Sequence, residues 1–166
     1  MARPRTRRPL DIYLNSRLVG RLHRQASGAI DFRYDDAWLA WEHALPISLS
    51  LPLREDRYIG EAVAAVFDNL LPDSDQVRRR MAERLRAEGH DAFNLLAAAG
   101  RDCVGALQFL PEDMEPGPAG EVHARPVTDG DIRRIVRDLG RNPLGVDAEG
   151  DFRISLAGAQ EKTALL

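Results

Sequence analysis

The amino-acid sequence predicts an α+β fold in which a small antiparallel β-meander packs with helices. The first observation is a set of short segments of strand character separated by tight turns, at residues 10–15, 18–24 and 29–34. Alternating apolar and polar residues over a few positions are typical of half-buried strands. The second observation is helical spacing of apolar residues further along, as at Val63 and Phe67. Strands followed by helices predict one shared core.

Composition narrows the class of protein. The 166 residues are 44% hydrophobic and 30% charged, which excludes wholesale disorder. The net charge of -3 argues against a nucleic-acid-binding protein, which would be expected to be basic. No apolar run approaches the roughly 18 residues of a membrane span. The arginine-rich residues 1–9 lack the apolar stretch of a secretory signal, so we expect a mobile basic arm and a cytoplasmic location.

After the meander, Asp35 or Asp36 is placed to cap a short helix that runs through Trp38 and Trp41. The two tryptophans are three residues apart, so they are predicted to share a helix face and belong to the core. Stacking on a carbohydrate or a base is the alternative. The following residues, 46–52 (PISLSLP), are bounded by prolines and are predicted to be extended.

Three longer helices are predicted from apolar residues at helical spacing, at residues 60–71, about 74–87 and 92–99. Pro72 ends the first helix, and Asp73 or Ser74 caps the second. Gly89 is predicted to close the second helix. That helix carries a row of arginines, at Arg78, Arg79, Arg80, Arg84 and Arg86. An arginine-rich helix can contact DNA, but a solvated face beside an apolar stripe is the favoured interpretation.

The rest of the chain returns to strand character at residues 104–110 and then becomes rich in Pro, Gly and acidic residues at 111–120. This composition predicts a linker. Thr128 or Asp129 is placed to cap a short helix that ends near residues 139–140. Residues 151–166 are predicted to form a strand, a glycine-containing turn and the start of another strand.

Few side chains suggest catalysis by their spacing. Asp68 and Asp73 are explained by helix capping more simply than by acid–base chemistry. Cys103 lies among apolar residues and is predicted to be a small buried hydrophobe rather than a nucleophile. The histidines have no metal-binding spacing, so no metal site is predicted from His23, His43, His90 and His123.

The remaining candidate is residues 154–162 (ISLAGAQEK), a strand followed by small residues and the lone lysine of the chain, Lys162. Small residues let backbone N–H groups approach a polyphosphate, and a lysine adds positive charge. The segment has one glycine and matches neither of the common phosphate-loop patterns. By its residues alone, an ordinary hairpin turn is the better interpretation.

Four segments resemble the HipA family, the serine/threonine kinase toxins of bacterial toxin–antitoxin pairs. They are PISLSLPL, FDNLLPDS, GRDCVGALQFLPED and DFRISLAGAQEKTALL, in the order and at the spacing of that family. The resemblance covers residues 10–166 and implies an N-terminal subdomain at 10–110 and the first strand and loop of a kinase-like N-lobe at 151–166. Composition adds a basic arm at 1–9 and a linker with a short helix at 111–150.

The resemblance implies a role for the last segment. Ser155 corresponds to the regulatory autophosphorylation site of the family, although Leu156 stands where valine is more usual. The ATP-contacting stretch corresponds to Ala157, Gly158, Ala159, Gln160, Glu161 and Lys162. In the family, the catalytic residues and the groups that bind Mg²⁺ lie beyond this loop, so we expect the chain alone to be inactive and ATP with Mg²⁺ to act in a completed kinase.

Two functions remain open on the sequence. The first is the N-terminal portion of a HipA-type kinase toxin, cut short in its first nucleotide-binding hairpin. For this function the family implies a helix-turn-helix antitoxin of the HipB type as partner and an aminoacyl-tRNA synthetase as protein substrate. It also implies that DNA is contacted only through the antitoxin. The second is a stand-alone module that binds and restrains a separately encoded kinase core. A DNA-binding protein that uses the arginine-rich helix is a third and weaker interpretation.

Overall fold

The computed structural model describes residues 8–100, 107–117 and 126–138, and within these ranges the predicted α+β class is confirmed. Five antiparallel strands form one sheet in the order β4-β3-β2-β1-β5. The strands are β1 Leu10–Leu14, β2 Arg17–Arg24, β3 Ile30–Tyr34, β4 Tyr58–Ile59 and β5 Leu107–Pro111. The helices are α1 Asp36–Leu39, α2 Glu61–Asp68, α3 Asp75–Leu85, α4 Ala92–Ala99 and α5 Asp129–Asp138.

The first three strands form the predicted meander. Asn15 and Ser16 join β1 to β2 with φ angles of 49° and 62°. Positive φ at both central residues is the signature of the tight hairpin turn whose twist matches that of the strands. Gly28, with a φ of 89°, helps to turn β2 into β3. The meander is extended on both sides, by β4 next to β3 and by β5 next to β1.

One face of the sheet carries the core. Ile12, Phe32 and Phe109 are fully or almost fully buried there, and Phe67 of α2 packs against them. The ring of Phe67 lies 5.7 Å from that of Phe32 and 5.8 Å from that of Phe109, both edge to face. Aromatic pairs at these distances stabilise a core beyond the area that they bury. Phe67 therefore links the helices to strands from both halves of the sheet.

The opposite face of the sheet carries two buried carboxylates, Asp11 and Asp31. Asp11 is 4% exposed and accepts a hydrogen bond of 2.9 Å from Nε of Arg21. Asp31 is 2% exposed; its Oδ2 accepts from Gln25 at 3.1 Å and lies 3.7 Å from the guanidinium of Arg57, whereas its Oδ1 has no hydrogen-bond partner. A buried carboxylate is tolerated when such partners compensate for its lost hydration. This face is mixed, since the apolar Leu110, which lies opposite Asp11 on the neighbouring strand, is also buried.

The short helix after the meander is confirmed, but its predicted extent is wrong. Asp35 caps it by accepting a hydrogen bond from the Ala37 amide. The helix ends at Leu39, so Trp41 lies beyond it, but the Trp41 ring still lies 5.2 Å from that of Trp38 and packs against the core, as predicted. Trp38 is buried, whereas Trp41 is half-buried with the Arg17 guanidinium 4.2 Å from its ring centre.

The second long helix begins as predicted but ends earlier. Ser74 caps α3, since its hydroxyl accepts a hydrogen bond from the Val77 amide. The helix ends at Leu85 because Arg86 adopts a left-handed conformation, with a φ of 52°. The Ala87 amide then bonds the Ala82 carbonyl, which completes a C-terminal capping motif. The prediction that Gly89 closes this helix is therefore wrong.

A close approach joins α4 to β5. A Cβ on Gly100 would clash with the carbonyl oxygen of Leu96 and would lie 2.5 Å from Cβ of Phe109. The Gly100 carbonyl also accepts a hydrogen bond of 2.6 Å from the Phe109 amide. Glycine is thus required where the helix turns toward the edge strand. The strand begins at Leu107 in the described residues, and the predicted start at residue 104 lies outside them.

The described part of the predicted linker is tied back to the sheet. The hydroxyl of Ser16 donates to the Gly117 carbonyl at 2.6 Å. Further along, Thr128 and Asp131 cap α5 reciprocally, with Thr128 Oγ1 accepting from the Asp131 amide and Asp131 Oδ2 accepting from the Thr128 amide. This pair forms a capping box, as the predicted cap at Thr128 requires.

Candidate functional site

The residues that the sequence assigned to ATP and regulation lie outside the described residues. This holds for Ser155 and for the predicted ATP-contacting set, Ala157, Gly158, Ala159, Gln160, Glu161 and Lys162. Cys103 and His123 also lie outside. The roles assigned to all these residues stay predictions. The described residues contain two of the other family-like segments, PISLSLPL and FDNLLPDS, and these define the candidate site.

The loop of residues 45–53, which contains PISLSLPL, is fixed by aromatic side chains. The Tyr34 hydroxyl donates to the Leu51 carbonyl at 2.5 Å and accepts from the Ile47 amide at 3.1 Å. Trp38 Nε1 donates to the Leu45 carbonyl at 3.2 Å. Because Tyr34 and Trp38 are buried in the core, they hold the loop backbone to the body of the domain.

The far end of this loop is fixed in the same way. The Tyr58 hydroxyl donates to the Pro52 carbonyl. The Arg54 guanidinium lies 3.6 Å from the centre of the Tyr58 ring and donates to the carbonyls of Asp56 and Arg57. Within the loop, a tight turn brings the Leu51 amide to 2.9 Å from the Ser48 carbonyl. The prediction of an extended segment is therefore wrong at this turn.

Burial and hydrogen bonding change the acidity of Tyr34. Burial raises its pKa to about 12, because the phenolate would lose hydration, while the hydrogen bond from the Ile47 amide opposes the shift. The hydroxyl therefore stays protonated under ordinary conditions and remains able to donate to Leu51. Its two hydrogen bonds make Tyr34 an anchor of the loop.

The same loop exposes three leucines, Leu45, Leu49 and Leu53. Their exposed fractions are 63%, 96% and 38%. Leu49 lies in the tight turn between Ser48 and Leu51, a position at which polar residues and glycine usually occur. Single exposed leucines are common on protein surfaces, but Leu49 is unusual because it is almost fully exposed in a turn whose backbone is fixed.

The segment FDNLLPDS connects α2 to α3 and is hydrogen-bonded to Arg78 of α3. The Arg78 guanidinium binds both carboxylate oxygens of Asp68, at 2.5 and 3.1 Å, and its Nε donates to the Pro72 carbonyl at 2.5 Å. The predicted capping role of Asp68 is therefore wrong, since this residue ends α2 and pairs with Arg78. One member of the predicted solvated arginine face is thus a half-buried bridge.

The remaining polar side chains do not converge on a metal site within the described ranges. No group of three or more His, Cys, Asp or Glu side chains is placed there to hold a metal ion. His43 lies 3.4 Å from Glu42, and His90 lies 3.4 Å from Asp75, at separate places on the surface. No helix of this part of the chain is long and apolar enough to cross a membrane.

The long-range contacts of Tyr34 and Arg78 cannot be predicted from sequence spacing. The pattern predicts Tyr34 only as the end of a strand, whereas its two hydrogen bonds join it to residues 13 and 17 positions away. Arg78 was one of five arginines on a helix, and its partner is ten positions away. The one available signal was the pair of prolines around the loop, which indicated a segment outside regular helix but not its anchors.

These features define the class first: a small α+β domain with helices on one face of an antiparallel sheet and a fixed, leucine-bearing loop beside it. Residues 10–110 match the family model described as the HipA N-terminal domain. The chain therefore belongs to the HipA family through its N-terminal domain.

Similar proteins agree with this assignment. The chain is 39% identical over 164 residues to "Putative kinase Y4mE" of Sinorhizobium fredii, covering 97% of this chain and 39% of that protein. It is 25% identical over 158 residues to the serine/threonine-protein kinase toxin HipA of Shewanella oneidensis, covering 94% of this chain and 34% of the toxin. The chain thus spans between a third and two fifths of the length of these two relatives.

A solved structure shows the same fold. HipA in the complex of HipA, HipB and operator DNA from Shewanella oneidensis matches with a TM-score of 0.59 and 23% identity. The match covers 78% of this chain and 29% of that chain. At this identity the likeness supports the architecture of the sheet and helices.

Proposed function

We propose that this chain acts as the N-terminal portion of a HipA-type serine/threonine protein kinase toxin of a toxin–antitoxin system. The observation that carries the proposal is the family match over residues 10–110, together with a relative named as a kinase that aligns along 97% of the chain. The aligned region includes the proposed ATP loop. Most of the length of that relative lies beyond the region that this chain matches.

In this proposal Ser155 and residues 157–162 form a regulated nucleotide loop. Backbone N–H groups around Gly158 approach the ATP phosphates, and Lys162 adds positive charge. A phosphate on Ser155, with a charge of about -1.5 to -2, competes for the same donors and expels the loop. The support for these roles is the resemblance of the sequence, and the Mg²⁺ ligands and catalytic base are expected outside this chain.

The proposed partners follow from the relatives. A HipB-type antitoxin is supported by the structural neighbour, whose HipA is complexed with HipB and operator DNA. An aminoacyl-tRNA synthetase is the proposed protein substrate, and the proposed location is the cytoplasm. Any DNA contact is proposed to go through the antitoxin, since the net charge of this chain is -3.

The nucleotide loop is tested in a single chimeric chain, in which this sequence is followed by the part of Y4mE beyond the matched region. Calorimetry measures ATP affinity for the chimera and two variants. Ser155→Asp adds negative charge beside the phosphates, and Gly158→Val blocks their close approach to the backbone. Both variants are expected to weaken ATP binding. Unchanged affinity in both would mean that residues 154–162 form only a hairpin.

A second candidate function is a stand-alone module that binds and restrains a separate kinase core. The exposed leucines of the fixed loop favour it, because exposed apolar side chains are typical of binding modules. The gene neighbourhood distinguishes the two candidates. A kinase core encoded in the next reading frame supports the restraining module, whereas a core encoded in the same frame supports the portion of a longer kinase.

A further inference from the structure

Trp41 forms a small surface cluster with two basic side chains, next to the turn that joins β1 to β2. The Arg17 guanidinium lies over the Trp41 ring, 4.2 Å from its centre. The His43 ring meets Trp41 edge to face at 5.5 Å, and the ring of the buried Trp38 lies 5.2 Å away. Arg17 and His43 are exposed, whereas Trp41 is half-buried. We call Arg17, Trp41 and His43 the arginine–tryptophan cluster.

Arg17 differs from the other arginines of the meander in its lack of a carboxylate partner within the ranges that the structure describes. The other arginines of β2 and β3 each lie within 4 Å of a carboxylate: Arg21 of Asp11, Arg24 of Asp91, and Arg33 of Asp36. Glu42, which follows Trp41, lies 3.4 Å from His43 instead. Arg17 therefore presents a charge that the described part of the fold does not neutralise.

Stacking on Trp41 prepares the Arg17 guanidinium for an anion. A guanidinium that lies over an aromatic ring keeps the N–H groups at its edge free, and their fork matches the two oxygens of a carboxylate. The ring also restricts a long and flexible side chain, so less conformational entropy is lost on binding. Tryptophan and arginine are enriched among the residues that contribute most to protein–protein binding. The cluster thus combines a positioned cation with the residue types of a protein contact.

The surroundings of the cluster favour a protein carboxylate over the phosphates of a nucleic acid. A nucleic-acid backbone is neutralised by several basic side chains along one surface. Here Arg17 is accompanied by Glu42, whose side chain is 83% exposed, and the net charge of the chain is -3. Stacking of Trp41 on a base or a carbohydrate would have to displace Arg17 from the ring. An acidic protein segment needs no such displacement.

Two other polar features of the described residues are weaker candidates. Oδ1 of Asp31 has no hydrogen-bond partner, but it is buried, and Gln25 binds the other oxygen of the same carboxylate. A partner would therefore have to open the fold to reach it. On α3, the exposed Arg79 is paired with Asp75 at 2.7 Å. Arg17 is both accessible and without a carboxylate among the described side chains.

We propose that the arginine–tryptophan cluster is a contact site for an acidic segment of a protein partner, in which a carboxylate is bound by the edge of the Arg17 guanidinium. Arg17 supplies the charge, and Trp41 is a positioning residue that holds the guanidinium in place. The site is separate from the predicted nucleotide loop at residues 154–162. It therefore goes beyond the proposed kinase function and does not require it.

The test is an NMR titration of the full ¹⁵N-labelled chain at low ionic strength. The probe is a short peptide of alternating Glu and Ala with blocked termini, and the control peptide has Gln in place of Glu. The Nε–Hε signal of Arg17 and the indole N–H signal of Trp41 are expected to shift and saturate with the Glu peptide only. The absence of these shifts, or equal shifts with the Gln peptide, would overturn the proposal.

Variants separate the charge of Arg17 from its position. Arg17→Lys keeps the charge but loses the planar fork, so the affinity for the Glu peptide is expected to fall roughly two- to fivefold. Trp41→Leu keeps Arg17 but removes the ring beneath it and should cause a similar loss, which Trp41→Phe should partly restore. Urea unfolding measures whether each variant is folded, and Trp41→Phe replaces Trp41→Leu in the comparison if the latter is not.

A control variant and other ligands complete the test. Arg80→Lys changes an exposed arginine of α3 and should leave the affinity unchanged. An equal loss in Arg80→Lys would mean that the peptide follows the general positive charge, and it would overturn the specific site. Shifts of Arg17 at a lower concentration of inorganic phosphate or duplex DNA than of the Glu peptide would assign the cluster to a phosphate ligand. Shifts that grow with the concentration of the chain alone would assign it to a second copy. Either result would overturn the proposal.

Discussion

Replacing Tyr34 with Phe removes one oxygen atom and two hydrogen bonds from the anchor of the leucine-bearing loop. The Tyr34 ring is 1% exposed, so water cannot replace the lost hydroxyl without a local opening. The Leu51 carbonyl loses its donor at 2.5 Å, and the Ile47 amide loses its acceptor at 3.1 Å. The variant therefore leaves one donor and one acceptor of the loop backbone unpaired.

Leaving a buried polar group unpaired costs about 1–3 kcal/mol. The variant also gains, because Phe has no hydroxyl to desolvate, so we expect a net loss in the free energy of unfolding of about 2 kcal/mol. For a chain of this size, such a loss lowers the melting temperature by about 4–8 °C. The packing of the ring against Phe32, at 4.7 Å, stays intact.

The assay is urea unfolding of the full chain followed by circular dichroism, with hydrogen exchange measured at the Ile47 amide. Exchange at Ile47 is expected to become faster in Tyr34→Phe, because its acceptor is gone. Tyr13→Phe, on a half-buried tyrosine of β1, is the control and should change stability by less than about 0.5 kcal/mol. Wild-type stability and unchanged exchange at Ile47 in Tyr34→Phe would refute the proposed anchoring of the loop.

Three further predictions concern pH, packing and the pair of Arg78 with Asp68. Because the pKa of Tyr34 is raised to about 12 in the folded chain, protonated Tyr34 contributes about 2–3 kcal/mol to the free energy of unfolding below pH 10, and this contribution is lost between pH 10 and 12. Unfolding curves measured at alkaline pH should show the loss. An equal loss of stability over this pH range in Tyr34→Phe would contradict the prediction. Gly100→Ala should cost about 1–3 kcal/mol in urea unfolding, because its Cβ clashes with the Leu96 carbonyl; full stability would show that the turn relaxes freely. A double-mutant cycle of Arg78→Ala and Asp68→Ala, measured by urea unfolding, should give a coupling free energy of about 1–2 kcal/mol, because only Arg78 is largely buried. If the losses of the two single variants simply add in the double variant, the two side chains do not stabilise each other.

Local signals in the sequence predicted most of the elements. The meander followed from alternation, and the starts of α3 and α5 followed from capping residues such as Ser74 and Thr128. These features depend on neighbours within a few positions. For the same reason, short-range reasoning placed the end of α3 wrongly. It expected a glycine to stop the helix, whereas Arg86 adopts the left-handed conformation there.

Contacts between residues far apart in the chain could not be predicted from the sequence. The two-residue strand β4 is too short to show alternation, and it exists because it pairs with β3 across more than twenty residues. The Arg78 bridge to Asp68 and the bonds of Tyr34 likewise depend on how the chain folds back. For the candidate site, the sequence indicated the segment PISLSLPL through its resemblance to a family, but not that the loop is fixed or that Leu49 is exposed.

The most direct measurement on the central claim is the mapping of phosphate after incubation with radiolabelled ATP and Mg²⁺. The chain alone is expected to take up no label above that of a Ser155→Ala control. The chimera with the remaining part of Y4mE is expected to become labelled at Ser155 and to lose this label in Ser155→Ala. Labelling of the chain alone above the control, or a chimera that is active but never modified at Ser155, would contradict the account.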